Sequence, residues 1–425
     1  MKNLSINIAS SLKKLSLFNI IFIGMFLIQF TEASHVLGFG NISALFNFIV
    51  LAGFSAYILL NIFSVRHIYS TWAYFIYPGL IVFFSYLINF TSNSFQNFQL
   101  ISYFGNLTPW VVLIAAPFLF SRGVATFDKL IRTYYNLMLF FIVAALLEYA
   151  LLASGMTTFT VLELEKGTYL SGIFSLLHQL EDGSHHYRMY SVFSEPGTLA
   201  MAIIPALIFS IVHKKYISVI VFILSIAMTD SLGGYIGLAI LSLLLPAIYL
   251  RRAPINRRTG FRRSVVMSYY VVFFIVSNFA ISGLQYQYNE KGLSRDTRAD
   301  NVVNIIQNLP SIILEHPLGM NLSESISNTQ DKYYFGSNFN PGTALYYGGF
   351  LGLIGYLWIL LLFFFKSIKV LFFEKISKND IIAAMSIVVL ITFIVQRTAI
   401  SEHGVLMLIF SLYIHEKMRA KQQKI

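Results

Sequence analysis

The sequence predicts an all-α polytopic membrane protein of about twelve transmembrane helices, with two long loops on one side. Three observations carry this. Of 425 residues, 56% are hydrophobic and 12% charged, whereas an ordinary soluble domain carries about 25% charged residues. The excess apolar residues are gathered into blocks of roughly 15 to 25, each long enough to cross the roughly 30 Å hydrocarbon core as a helix. Lys and Arg fall in alternate connections between the blocks, as expected where moving basic residues across a membrane is disfavoured.

In chain order the blocks fall at about 17–30, 42–63, 73–90, 106–120, 132–154, 198–212, 216–229, 232–250, 264–283, 342–365, 380–400 and 403–416. Pro109 and Pro117 interrupt the fourth, and Gly233, Gly234 and Gly237 open the eighth. The N-terminal Lys2, Lys13 and Lys14 before an apolar run could suggest a cleaved leader. FTEASHVLGFG offers only a weak small-residue site, and the charge pattern works with the first span retained. An even number of spans puts both termini on one side, and residues 1–425 read as a single integral membrane domain. No solenoid-length repeat or low-complexity tract is visible.

The charges assign the sides. Of 30 Lys and Arg, all but seven fall in the termini and the even-numbered connections; the seven are Lys166, Arg188, Lys291, Arg295, Arg298, Lys332 and Arg397. All but four of the 19 acids lie on that opposite side. The net charge of +11 is therefore mostly topology determinant plus attraction to anionic headgroups. RRAPINRRTGFRR at 251–263 is the strongest inside marker. A nucleic-acid partner is not expected. With no cysteine, disulfides, thiolate metal sites and cysteine nucleophiles are excluded.

Two outer connections, about 155–197 and 284–341, are too long to be turns, and loops of such length usually carry function or are disordered. In the second, NVVNIIQNLPSIILEHPLG spaces Val302, Ile305, Ile306 and Leu309 as one helix face, suiting a helix lying on the outer bilayer surface.

The first loop ends in HHYRMYSVFSEPGTLAMAIIP, running straight into the sixth span. Pro196 suits the first turn of a helix, and an acid at a helix N-terminus is favoured by the macrodipole, so Glu195 has a capping role available. The functional reading gives Arg188, whose planar fork suits diphosphate oxygens, an anion-binding role. It makes Glu195 a general base, its proton affinity raised at a dry membrane boundary. In GLSRDTRADN, Arg295 and Arg298 share a helix face; they read either as a pair solvated with Asp296 and Asp300 or as an anion site on an otherwise acidic surface. Arg397 flanks a tight hairpin with Glu402, as a local ion pair or as the lining of a diphosphate site. Glu148 and Asp230 fall at span ends, where ionisable groups are costly and worth weighing. His178, His185 and His186 lack any metal-ligand spacing, so no metal is expected.

The motifs then align with a known pattern. HPLG at 316–319, a polar stretch and GSNFNPGTALYYGGFLGLIGYL resemble the signature region of the O-antigen polymerase and ligase superfamily. R-x-x-S-x-F-x-E-P-G at 188–197 is similar to a motif of its Wzy-type repeat-unit polymerases, and TDSLGGYIGLA from Thr229 resembles a T-x-S-x-G element. The chain departs in two places. Leu232 stands where an Arg is usual after the Ser, and Asn338 stands where ligases have His, so a ligase-like base is not carried over.

The resemblance implies an inverting membrane glycosyltransferase of GT-C-like fold in a bacterial inner membrane. Both termini would be cytoplasmic and the two long loops periplasmic. It would join undecaprenyl-diphosphate-linked oligosaccharides, a growing donor and a repeat-unit acceptor, into surface polysaccharide. Glu195 and His316 are the expected catalytic residues, His316 with a helix-ending role before Pro317 as the alternative. Arg188, Arg295, Arg298, Arg397, Asn338 and Asn340 are the expected diphosphate- or substrate-binding residues. No cofactor is implied; a chain-length regulator and a flippase are the implied protein partners. The rival readings are an O-antigen ligase, a lipid-linked oligosaccharide flippase or transporter, and a non-enzymatic scaffold.

Overall fold

The computed structural model describes residues 17–30, 40–62, 70–92, 100–155, 160–164, 167–172, 176–179, 187–193, 196–252, 264–265, 267–271, 292–319, 340–374, 376–395 and 404–422. Five helices come first: α1 (Leu17–Phe30), α2 (Gly40–Ile62), α3 (Ser70–Ser92), α4 (Leu100–Ser121) and α5 (Phe127–Ala153). Strands β1 (Thr160–Leu164), β2 (Gly167–Ser171), β3 (Leu176–Gln179) and β4 (Tyr187–Ser191) follow. Then come α6 (Pro196–Val212), α7 (Tyr216–Thr229), α8 (Leu232–Arg252), α9 (Gly292–Glu315), α10 (Asn340–Phe373), α11 (Lys378–Ile391) with a 3-10 turn at Thr392–Val395, and α12 (Gly404–Gln422).

Eleven of the twelve expected spans coincide with a helix; the ninth, at 264–283, lies mostly outside the described residues. Among the described residues, three helices are long and apolar enough to cross a membrane, over Trp72–Thr91, Phe127–Ala153 and Ala344–Phe373. Others are shorter. α7 and α11 have 14 residues each, a rise of about 21 Å against a core of roughly 30 Å. Burial explains part of the difference. Every residue of α6 from Pro196 to Ser210 is buried, as is most of α11 and of α12 up to Ile414. These helices are enclosed by protein, and hydropathy alone does not separate them from helices that meet lipid.

The all-helical expectation fails in the first long loop. There the four strands form an antiparallel meander in the order β1-β2-β3-β4, with Leu164 paired to Gly167, Ser171 to Leu176 and Gln179 to Tyr187 at the turn ends of its three hairpins. Segments such as TVLEL and YRMYS are short and rich in β-branched and aromatic residues, and pairing them satisfies backbone groups that a loop would leave to water. β4 packs against α5, α6 and α7 and buries Met189, Tyr190 and Ser191.

The helix expected across 302–309 forms within α9, but its apolar face is divided. Ile312 is buried in a small cluster with Leu345 and Tyr346 of α10, with Leu309 and Ile313 packed alongside. Ile305 is buried too, whereas Val303, Ile306 and Leu314 remain exposed.

At the end of the bundle that carries the basic connections, α12 ties two other helices down. The backbone N–H of Phe127, first residue of α5, donates to Glu416 Oε1 at 3.0 Å, because the N-cap Thr126 makes no side-chain bond of its own. Asp380 is 1% exposed. One carboxylate oxygen accepts from Ser377 N–H (2.7 Å) in a capping box. The other accepts from Tyr413 Oη (3.2 Å) and pairs with Lys417 Nζ at 2.6 Å. Removing one partner of a buried, bonded ion pair costs about 3 to 5 kcal/mol. Asp380→Ala is expected at the lower end of that range, since Lys417 is partly solvated; Lys417→Ala should cost less. Thermal inactivation midpoints of the purified variants in detergent check the order, and equal midpoints for Asp380→Ala and wild type would contradict it.

Candidate functional site

Two corners at the opposite end of the bundle gather the motif segments. The first is built by β4, α6 and α7. Ser191 turns the chain out of the strand with φ +54°, and Phe193, fully buried, anchors the approach to Pro196 and the buried helix α6. Arg188 points at the end of α7: its Nε donates to Thr229 O (3.2 Å) and its Nη2 to Asp230 O (2.9 Å). Asp230 is the left-handed C-cap of that helix, φ +44°, and its N–H closes the turn onto Ala227 O. The last carbonyls of a helix lack intrahelical donors and carry the negative end of its dipole, so a guanidinium there satisfies both at once. α8 starts two residues later and packs tightly: a Cβ on Gly234 would come within 2.9 Å of Ala200 Cβ and of Ile226 Cγ2.

The second corner joins HPLG to the glycine run of α10. The N–H of His316 makes the last helical bond of α9, to Ile312 O, and Gly319 N–H closes a turn onto His316 O. α10 is broken at Gly349, whose φ of +58° and ψ of −153° belong to a region open essentially to glycine alone. At that break Phe350 N–H leaves its own helix and donates to Pro317 O at 3.1 Å. Asn89 of α3, fully buried, supplies the missing donor: its Nδ2 lies 2.8 Å from Tyr347 O and 3.5 Å from Tyr346 O. The backbones must nearly touch for this. A Cβ on Gly319 would stand 2.6 Å from Tyr346 O, and one on Gly349 would overlap Pro317. On either side of the break, Gly348, Gly352 and Gly355 let α10 lie close against Val82, Ser85 and Tyr86 of α3, the small-residue packing that membrane helices favour.

The sequence-selected residues are placed unevenly. Arg188 and Thr229 meet directly, and His316 ends α9 as the alternative reading has it. Asn340 opens α10; its side chain, with those of Arg295 and Arg298, is outside the described set. The backbone sets the two arginines one turn apart on α9, and the helical rise puts Arg298 about 21 Å along the axis from Ile312. α9 itself therefore does not carry them to the HPLG corner. Glu195, Asn338 and Arg397 lie outside the described residues; Pro196 immediately follows the first. The turn ending at Val395, two residues before Arg397, packs against both α8 and α10. His178 faces Arg188 across the β3–β4 ladder, and among the described residues no three His, Asp or Glu side chains cluster as metal ligands.

Asn89 escaped the sequence reading. The one available signal is an amide set four residues after a serine in the apolar run FFSYLINF, and nothing local says that it faces a broken helix 257 residues away.

No family model, curated protein or solved structure matches this chain. The class that the fold defines is a helical protein with helices long and apolar enough to cross a membrane.

The glycine break gives a sharp test. Gly349→Ala adds a Cβ in a forbidden region and against a carbonyl, a cost of roughly 1 to 3 kcal/mol in strain before the overlap is counted. Gly53→Ala, where an added Cβ meets nothing within 4 Å, should be neutral or stabilising by up to about 1 kcal/mol. Asn89→Leu should resemble Gly349→Ala, since it leaves Tyr347 O unsatisfied in an apolar setting. Yields of folded protein by fluorescence-detected size exclusion check the set; a Gly349→Ala protein as abundant as Gly53→Ala would refute the account of the break.

Proposed function

We propose that the chain is an oligosaccharide repeat-unit polymerase of the envelope: an inverting membrane glycosyltransferase that joins undecaprenyl-diphosphate-linked oligosaccharides into surface polysaccharide. Both termini would be cytoplasmic and the reaction periplasmic. The observation that carries the reading is that its motif segments meet across long sequence separations. Arg188 bonds the Thr229–Asp230 turn, and Pro317 of HPLG accepts from Phe350 in the glycine run. The gathering of Arg132, Lys215, Lys378 and Lys417 at the other end of the bundle supports the sidedness.

In this reading the acceptor's sugar hydroxyl attacks the donor's anomeric carbon. The glycosidic bond to diphosphate breaks, and undecaprenyl diphosphate departs with the bonding electrons. Charge building on the leaving group is stabilised by preorganised cations in a water-poor site. A guanidinium has five donors; two of Arg188's go to carbonyls, which fixes its plane while others remain for phosphate oxygens. Arg295, Arg298 and Arg397 would add positive charge, and Asn338 and Asn340 hydrogen bonds to substrate. Glu195, one residue before the buried helix α6, would accept the hydroxyl proton, with His316 as the second candidate. A flippase and a chain-length regulator are the protein partners this activity would use.

The test is the glycan ladder from a strain lacking the gene and complemented with wild type or variants. Deletion should leave single repeat units on lipid A core, and wild type should restore the ladder. Arg188→Ala and Glu195→Gln should each lower polymerisation on the order of 10²-fold or more while the protein inserts normally. A wild-type ladder from Arg188→Ala removes the diphosphate role, and full activity of Glu195→Gln leaves that residue only its cap. Accumulated lipid-linked polymer with bare core would mean a ligase; no exposed units at all would mean a flippase.

A further inference from the structure

The basic end of the bundle holds a cluster that the polymerase reading does not use. Arg132 of α5, His213 and Lys215 of the α6–α7 turn and Lys378 at the start of α11 come from three separate stretches of sequence. Helix packing brings them together: α6 lies against α5, α7 and α11. The His213 ring stacks on Phe209 with centroids 4.4 Å apart, and its Nε2 is shielded from solvent with no hydrogen-bond partner. Burial, followed by Lys378, Arg132 and Lys215, holds His213 below the usual histidine range, with Asp128 opposing. Asp128 pairs with Arg132 at 3.0 Å, so positive charge stays in surplus.

Lys215 is held in place by the helices beneath it. Its Nζ sits 4.0 Å from the centroid of the Tyr135 ring. That ring in turn stacks on Phe209 at 4.7 Å, and its hydroxyl bonds Ser218 Oγ at 2.8 Å. Tyr135 thus pins α5 to α7 directly under the ammonium. A lysine present only to set topology needs no such seat.

From this charged lip, two apolar faces run along the bundle. On α7, Ile217 and Ile220 are 81% and 59% exposed; on α5, Phe140 and Leu147 follow Arg132 on the same helical stripe, 56% and 63% exposed. Cations at one end and exposed hydrocarbon-compatible faces below them match one kind of molecule: a phosphate at the head and acyl chains behind it.

We propose that Arg132, His213, Lys215 and Lys378 form a binding site for the phosphate headgroup of an anionic lipid, whose acyl chains lie along α5 and α7. The site is independent of the sugar chemistry proposed above.

The test uses the full chain purified in detergent and incubated with phosphatidylglycerol or phosphatidylcholine, with retained lipid counted by native mass spectrometry. Phosphatidylglycerol should be retained in preference to phosphatidylcholine. Lys215→Gln with Lys378→Gln should weaken that retention about 30-fold, roughly fivefold for each lysine. Lys369→Gln with Lys421→Gln, the same charge removed elsewhere, should leave it unchanged. The two site lysines are exposed, and Arg132→Gln alone should act in the same direction if the double variant fails to fold. Equal retention by the double variant, or an equal loss in the control pair, overturns the proposal. Displacement of the lipid by millimolar inorganic phosphate also overturns it, in favour of a site for a free anion.

Discussion

The constraint on which this fold turns is that backbone donors and acceptors freed inside an apolar bundle must find partners, since neither lipid nor packed apolar side chains supply any. At three places where a helix starts, stops or breaks, a group from a remote part of the chain completes it. Glu416 caps the first N–H of α5. Arg188 closes the carbonyls at the end of α7. Asn89 and Pro317 resolve the break in α10. These bonds are also what join the elements to one another, so the local requirement produces the tertiary arrangement.

The same requirement explains why the candidate site sits where it does. Irregular backbone is tolerated at membrane depth only where it is enclosed by protein or lines a cavity, and the two irregular corners, at Asp230 and at Gly349, coincide with the motif segments. Under the proposed function, backbone not locked into a helical ladder leaves groups available to a lipid diphosphate and a sugar. Strand β4, packed on α5, α6 and α7, delivers Arg188 to its carbonyls. At the opposite end of the bundle, Asp380, Tyr413 and Lys417 lock α11 to α12. A basic end and an end carrying the motifs give the molecule a direction.

Much of the plan was legible from composition. Helical blocks were visible because a span must be apolar over its whole length, whichever side chains it uses. The strands were not, because TVLEL and LLHQ are short, and a four- or five-residue segment pairs only if a partner strand is presented to it. α9 was legible from its spacing, yet Ile305 and Ile306 went to different environments, and it is Ile312 that meets Leu345 and Tyr346. Arg188 was singled out as an anion ligand; its bonds to Thr229 and Asp230 carbonyls emerge only when β4 is laid across the end of α7. Asn89 was invisible because a lone amide in an apolar run acquires meaning only from the groups opposite it.

By itself, then, the sequence determined the helical class, the order of the blocks and the separation of charge between two ends, because hydropathy and charge act on each segment independently of the rest. Only the tertiary structure decided which helices are enclosed, where α10 breaks, and which motifs touch. Those outcomes depend on pairing groups as far apart as Asn89 and Tyr346, and no local pattern encodes the partner of an orphaned carbonyl.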